Sequence, residues 1–114
     1  MFLSVKDIGE AIEWYSTKLG LNIAWQNERV ACFKLGETPL TLLQHGYPGH
    51  SALPEDEFKP NTQVSFNFYV SDIEQAHQKL SAKQVKIHPI NDYGTVKDFV
   101  FEDINGNMLS VVTW

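Results

Sequence analysis

The side chains best suited to chemistry in this chain are four histidines and one cysteine, and their spacing does not assemble a site. His45 and His50 bracket a segment that contains glycine and proline, with no carboxylate ligand beside them, so we expect solvated loop side chains. His77 takes the helical position that Ile12 holds in the first half, which favours a packed ring with a satisfied nitrogen. His88 precedes a proline on a strand and has no second ligand near it. Because spacing alone fixes no metal geometry, we expect none of the four to be a metal ligand.

Composition excludes several classes of partner. Cys32 has no histidine adjacent in sequence to activate it, so we expect it to pack in a sheet. A single cysteine allows no internal disulfide and favours a reducing, cytoplasmic setting. No stretch resembles a signal peptide or a membrane span. The net charge of -5 argues against nucleic acid and suits a neutral or cationic small ligand slightly better than an anion.

A short motif, Val-x-Asp-Ile, occurs twice and positions the elements of the chain. It occupies residues 5–8 and residues 70–73, 65 residues apart. In each copy an apolar strand ends at an aspartate, which is a preferred N-cap, and apolar residues then follow at helical spacing. Gly20 predicts the end of the first helix. A repeat this long in a chain of 114 residues predicts two similar halves.

The order of predicted elements is strand, helix and three strands, twice over. Asn105 and Gly106 give a strong hairpin signal before the last strand, and residues 91–94 also predict a turn. We therefore predict a single α+β domain with module one at 1–45, a linker at 46–62 and module two at 63–114. The predicted strands are residues 2–5, 21–26, 30–35, 40–44, 64–70, 85–90, 97–102 and 108–113.

Several of these segments resemble the vicinal oxygen chelate superfamily, which includes glyoxalase I, extradiol dioxygenases and fosfomycin- and bleomycin-resistance proteins. The resemblance rests on residues 2–8, 11–15 and 18–21, and on residues 101–107, where Ile104 replaces the proline of an Asp-Pro-Asp-Gly-Asn turn. It implies two βαβββ modules that form a curved, barrel-like mixed sheet around a cavity, with the helices outside. It specifies the fold better than the reaction, because one scaffold hosts many chemistries.

In metal-dependent members of the superfamily, the ligands come from the first and last strands of each module. On this chain those positions are the one just before Met1, then Thr41, Ser65 and Ser110. Neutral hydroxyls are weak ligands and cannot take a proton near neutral pH. We therefore expect no metal cofactor, and whether the chain is an enzyme stays open.

Strand alternation from these positions predicts the cavity lining. Asn67 and Tyr69 should face inward with Ser65, Met108 with Ser110, and Leu43 with Thr41, while the repeat adds Ser4. Aromatic residues of the middle strands are further candidates, although alternation does not fix which way their side chains face. The full predicted ligand-binding set is Ser4, Trp25, Phe33, Thr41, Leu43, Ser65, Asn67, Tyr69, Phe99, Met108 and Ser110.

Three functions remain open at this point. The first is a metal-free protein that binds a small molecule and resembles the bleomycin-resistance branch. The second is a metal-dependent lyase or dioxygenase with a non-standard site, and the third is a non-catalytic assembly domain with a filled interior. All three allow a homodimer, which we expect because a first strand that starts as late as Met1 is short and favours edge pairing.

Overall fold

The chain folds into two compact units, residues 1–61 and residues 62–114. The computed structural model describes residues 2–35, 38–45, 58–62, 64 and 67–114. Of the predicted linker, residues 46–62, only 58–62 fall among the described residues. Each unit consists of one helix on one sheet.

The first unit has the predicted order of elements. Its elements are β1 (Phe2–Val5), α1 (Ile8–Lys18), β2 (Ile23–Gln26), β3 (Val30–Leu35) and β4 (Thr38–Gln44). The strand order across the sheet is β1-β4-β3-β2. Strand β1 runs parallel to β4, and the other pairs are antiparallel.

The second unit repeats this plan with one strand divided. Its elements are β5 (Asn67–Tyr69), α2 (Ile73–Ala82), β6 (Lys86–Ile87), β7 (Asn91–Asp92), β8 (Lys97–Glu102) and β9 (Met108–Thr113). The order is β5-β9-β8-β6, with β7 also paired to β8 and β5 parallel to β9. The α+β class and the βαβββ modules are thus confirmed, although over the described residues neither sheet closes on itself.

The aspartates of the repeated motif cap both helices as predicted. Asp7 Oδ1 accepts a hydrogen bond from the backbone N–H of Glu10 at 2.9 Å. Asp72 Oδ1 accepts the equivalent bond from Gln75 at 3.0 Å. Helix α1 ends just before Gly20, whose φ of 68° lies in the left-handed region that glycine adopts without strain.

The structure differs from the prediction between residues 85 and 94, in the extent of the strand and in the position of the turn. The strand divides into β6 and β7, so that residues 88–90 lie opposite only residues 99–100 of β8. This is a β-bulge, and it contains Pro89, which has no N–H to donate to a ladder. Residues 91 and 92 belong to the second piece of the strand, and the turn comes after them, around Gly94 with a φ of 94°.

The predicted Asn-Gly hairpin connects β8 to β9. Gly106 takes a φ of 86° and donates its N–H to the carbonyl of Asp103 at 3.1 Å. The Asp103 carboxylate is buried inside this turn. Its Oδ1 accepts hydrogen bonds from the backbone N–H groups of Asn105 and Asn107. Its Oδ2 accepts a hydrogen bond from the side-chain amide of Asn107.

The core of each unit lies between its helix and its sheet. In the first unit the buried Tyr15 of α1 packs on Phe33 of β3, with ring centroids 5.9 Å apart. In the second, Phe68 of β5 packs on Phe101 of β8 at the same distance. Burial of these faces supplies most of the stabilisation, because apolar area removed from water contributes about 25 cal/mol per Å². No helix among the described residues is long and apolar enough to cross a membrane.

Candidate site on the distal faces of the sheets

Each sheet has a second face, turned away from its own helix, which we call the distal face. In the first sheet, residues that are register partners share a face. Phe2 pairs with Thr41, Ser4 with Leu43, and Thr41 with Cys32. Leu40 and Leu42 alternate with this set and are fully buried on the helix side. The distal face of the first sheet therefore carries the predicted residues Ser4, Trp25, Thr41 and Leu43, together with Phe2 and Cys32.

Two of the predicted aromatic residues lie on the opposite, helix-covered faces. Phe33 pairs with the buried Leu40, is 0% exposed and packs on α1. Phe99 pairs with Val111 and contacts the ring of His77 on α2, 4.9 Å between centroids. Their predicted placement on an inner, ligand-facing wall is wrong, because the pairing of the middle strands turns these positions toward the helices.

The distal face of the second sheet carries an amide and a hydroxyl in direct contact. Asn67 and Ser110 are register partners on β5 and β9, and the Ser110 hydroxyl donates to Asn67 Oδ1. Met108 lies on the same face of β9, half-buried. Ser65, which was predicted to join them, lies outside the described residues.

Aromatic side chains extend this distal face toward the end of β9. Tyr69 is 53% exposed, and its ring lies 4.4 Å from that of Trp114. The Tyr69 hydroxyl donates to the Trp114 carbonyl at 3.4 Å. The two rings form a surface for stacking, beside the polar pair of Asn67 and Ser110.

The distal face of the second sheet also carries a group of charged side chains that sequence patterns did not predict. Glu102 Oε2 lies 3.4 Å from His88 Nε2 and 3.5 Å from Lys86 Nζ. Four residues away along β8, the Asn91 amide donates to Asp98 Oδ1 at 3.0 Å. The sequence paired His88 with no second ligand, and its position beside Glu102 follows from the β6–β8 register and from no sequence signal.

Two of the other histidines have defined surroundings. His77 Nε2 lies 3.1 Å from the carbonyl of His88 and its ring packs on Phe99, which confirms the predicted packed role. His45 is half-buried, and its ring meets Phe58 edge-on at 5.6 Å, so the predicted solvated role is wrong. His50 lies outside the described residues.

Of the family's ligand positions, the structure describes two, Thr41 and Ser110, and both carry neutral hydroxyls, which are weak ligands for a divalent metal ion. The Thr41 hydroxyl donates to Cys32 Sγ at 3.8 Å, and that of Ser110 is engaged with Asn67. Within the part of the chain that the structure describes, no three His, Cys, Asp or Glu residues lie together in a way that could hold a metal.

Comparison with known proteins identifies the family. A sequence profile of the Glyoxalase/Bleomycin resistance protein/Dioxygenase superfamily matches residues 1–111. The chain belongs to this superfamily. The βαβββ modules described above are the superfamily's fold, and the resemblance inferred from the sequence is confirmed.

Solved structures of the superfamily superpose over nearly the whole chain. A glyoxalase/bleomycin resistance protein/dioxygenase from Nocardioides is 23% identical, with a TM-score of 0.79 over 100% of this chain and 80% of that one. A lactoylglutathione lyase from Agrobacterium tumefaciens is 18% identical, with a TM-score of 0.80, and the match covers 99% and 90% of the two chains. TioX from Micromonospora sp. ML1 is 17% identical, with a TM-score of 0.78 over 99% and 94%. These likenesses show the fold of this superfamily member. A search of curated proteins finds no match.

Proposed function

We propose that this superfamily member binds a small molecule on the distal face of its second sheet and does so without a metal ion. The observation that carries the proposal is the hydrogen-bonded pair of Asn67 and Ser110. Ser110 occupies a position that the family resemblance assigns to a metal ligand, and Asn67 lies beside it on the neighbouring strand. Such a pair can accept and donate hydrogen bonds to a neutral ligand. It cannot supply the anionic or imidazole ligands, or the base, that metal-assisted proton abstraction requires.

The aromatic residues next to this pair support a ligand with a planar or apolar part. Tyr69 and Trp114 are both largely exposed although they are large and apolar, and they lie on one side of Asn67. Grouped apolar side chains at a surface are typical of interaction sites. Binding sites for small molecules combine such surfaces with a few polar groups that fix orientation. Asn67 and Tyr69 are accordingly the residues we assign to ligand recognition.

Calorimetry with a panel of small aromatic compounds tests the proposal. We expect saturable binding to one site, with no turnover of the compound that binds. Asn67→Ala should weaken that binding about tenfold, because one hydrogen bond to the ligand is lost. Gln78→Ala, an exposed change on α2, is the matched control and should leave affinity unchanged. Equal affinities of the wild-type and Asn67→Ala proteins would remove Asn67 from the site.

The same protein preparation distinguishes binding from metal-dependent catalysis. We expect elemental analysis and titration with Ni, Zn, Fe or Mn salts to give far less than one ion per chain. Stoichiometric uptake of any of these ions would favour a lyase or dioxygenase instead. The calorimetric result on Asn67 is independent of this one, so the two parts of the proposal can fail separately.

We further propose that the protein is a cytoplasmic homodimer. Strand β1 is an edge of the first sheet over the described residues, paired only with β4, and sheet edges of this kind readily add another strand. The single cysteine supports the reducing compartment. Light scattering at micromolar concentration should give twice the mass of the chain. A monomer at that concentration would contradict the prediction.

A further inference from the structure

A cleft of about 400 Å³ lies in the second unit, at the edge of the sheet where α2 begins. Strands β5 and β9 are parallel neighbours, so their carboxyl ends meet at this edge. The volume falls within the range of about 300–1,000 Å³ that is usual for small-molecule sites. The cleft is lined by Ser71, Asp72, Ile73, Glu74, Gly94, Thr95, Lys97, Thr113 and Trp114.

The charges in the cleft leave one carboxylate in excess. Asp72 and Glu74 supply two carboxylates, and Lys97 supplies one ammonium group. Lys97 Nζ lies 3.3 Å from Glu74 Oε1, so these two charges are paired with each other. The remaining charge is that of Asp72, whose Oδ1 caps α2 and whose carboxylate can accept further hydrogen bonds. An anionic ligand is disfavoured by this balance, whereas a cation is attracted.

Trp114 is one of the residues that line the cleft. This side chain is 73% exposed, so its ring is available to a ligand. The ring is also held in place, because it packs on Tyr69 and its backbone carbonyl accepts the Tyr69 hydroxyl. Among aromatic side chains, the indole gives the strongest attraction to an organic cation that lies over its face.

We propose that this cleft binds a small organic cation, which the Asp72 carboxylate attracts and the Trp114 indole contacts. A carboxylate together with an indole recognises quaternary ammonium and alkylammonium groups, because both act on a diffuse positive charge. The hydroxyls of Ser71, Thr95 and Thr113 offer hydrogen bonds to a polar substituent on the cation. This site goes beyond the proposed function: it shares Trp114 with the surface proposed above but does not use Asn67 or Ser110.

Titration of the full chain with choline tests the cleft, and 3,3-dimethylbutan-1-ol serves as an uncharged probe of the same shape. We expect saturable choline binding by NMR, with shifts at the Trp114 indole and at Ser71 and Thr95, and no saturation by the alcohol. Asp72→Asn should weaken choline binding about five- to tenfold, because the charge is lost. Asparagine caps a helix about as well as aspartate, so the fold is retained.

Asp7→Asn is the matched control, because Asp7 caps α1 in the first copy of the repeated motif as Asp72 caps α2. It carries the same change of charge and should leave choline affinity unchanged. Three results would each overturn the cation site: equal binding of choline and the alcohol, equal affinities of the Asp72→Asn and wild-type proteins, or no saturation by choline. None of them affects the Asn67 measurement, so the two proposals fail separately.

Discussion

Phe33→Ala is expected to lower the free energy of unfolding by about 3–5 kcal/mol, because it removes a buried ring and leaves a cavity. Phe33 is 0% exposed and packs on Tyr15, a residue of α1 that is itself fully buried. The helix cannot move inward to fill the space without losing its own contacts with the sheet. Denaturant unfolding should show this loss as a lower midpoint, with the fluorescence of Trp14, whose ring lies 5.0 Å from that of Tyr15, reporting on the first unit.

Trp25→Ala is the matched control for this prediction. Trp25 also lies in the first sheet, but it is 52% exposed on the distal face. Removing a larger ring from that face should cost no more than about 1 kcal/mol. If the two substitutions cost the same, the assignment of Phe33 to the helix side and of Trp25 to the distal face is incorrect.

Asp103→Ala is expected to destabilise the second unit by about 2–4 kcal/mol, because two buried donors and one half-buried donor lose their acceptor together. The Asp103 carboxylate accepts the Asn105 and Asn107 N–H groups at 2.8 and 2.9 Å and the Asn107 amide at 2.9 Å. Asp103 and Asn107 are both buried, so water cannot readily replace the lost acceptor of the Asn107 donors. Chemical denaturation measures the loss, and amide hydrogen exchange at Asn107 should accelerate.

Asp92→Ala provides the comparison for the buried turn. The Asp92 carboxylate accepts the Gly94 N–H at 2.8 Å in the turn before β8, where both residues are exposed. Water replaces an exposed acceptor at little cost, so this change should lower stability by only about 0.5–1 kcal/mol. A similar loss from both substitutions would show that burial of the Asp103 turn does not determine its contribution.

Local patterns in the sequence predicted the parts of the fold that depend on neighbouring residues. Aspartate is a preferred N-cap, so Asp7 and Asp72, each before an apolar helical stripe, marked both helix starts. The Asn-Gly pair marked the last hairpin for the same reason, since Gly106 adopts a positive φ without strain. The repeated motif then placed these elements in two modules, and a family resemblance followed from them.

Strand register decided the features that sequence patterns missed. Alternation predicts that neighbouring residues face opposite ways, but it does not say which face the helix covers. Phe33 and Phe99 were assigned to the wrong face for this reason. The bulge at Pro89 changed the register by one residue, and a change of one residue exchanges the two faces of a strand. The pairing of His88 with Glu102 depends on the same register.

The sequence by itself determined the family, the order of the elements, the helix caps and the hydroxyl residues at the expected ligand positions. These features depend on residue type and on the geometry of neighbouring residues, and both can be inferred directly from the sequence. Only the tertiary structure decided that Ser110 bonds to Asn67, that Tyr69 packs on Trp114 and that a cleft opens beside Asp72. Such contacts join residues that are distant in sequence, and they form only when strand pairing and helix packing bring those residues together.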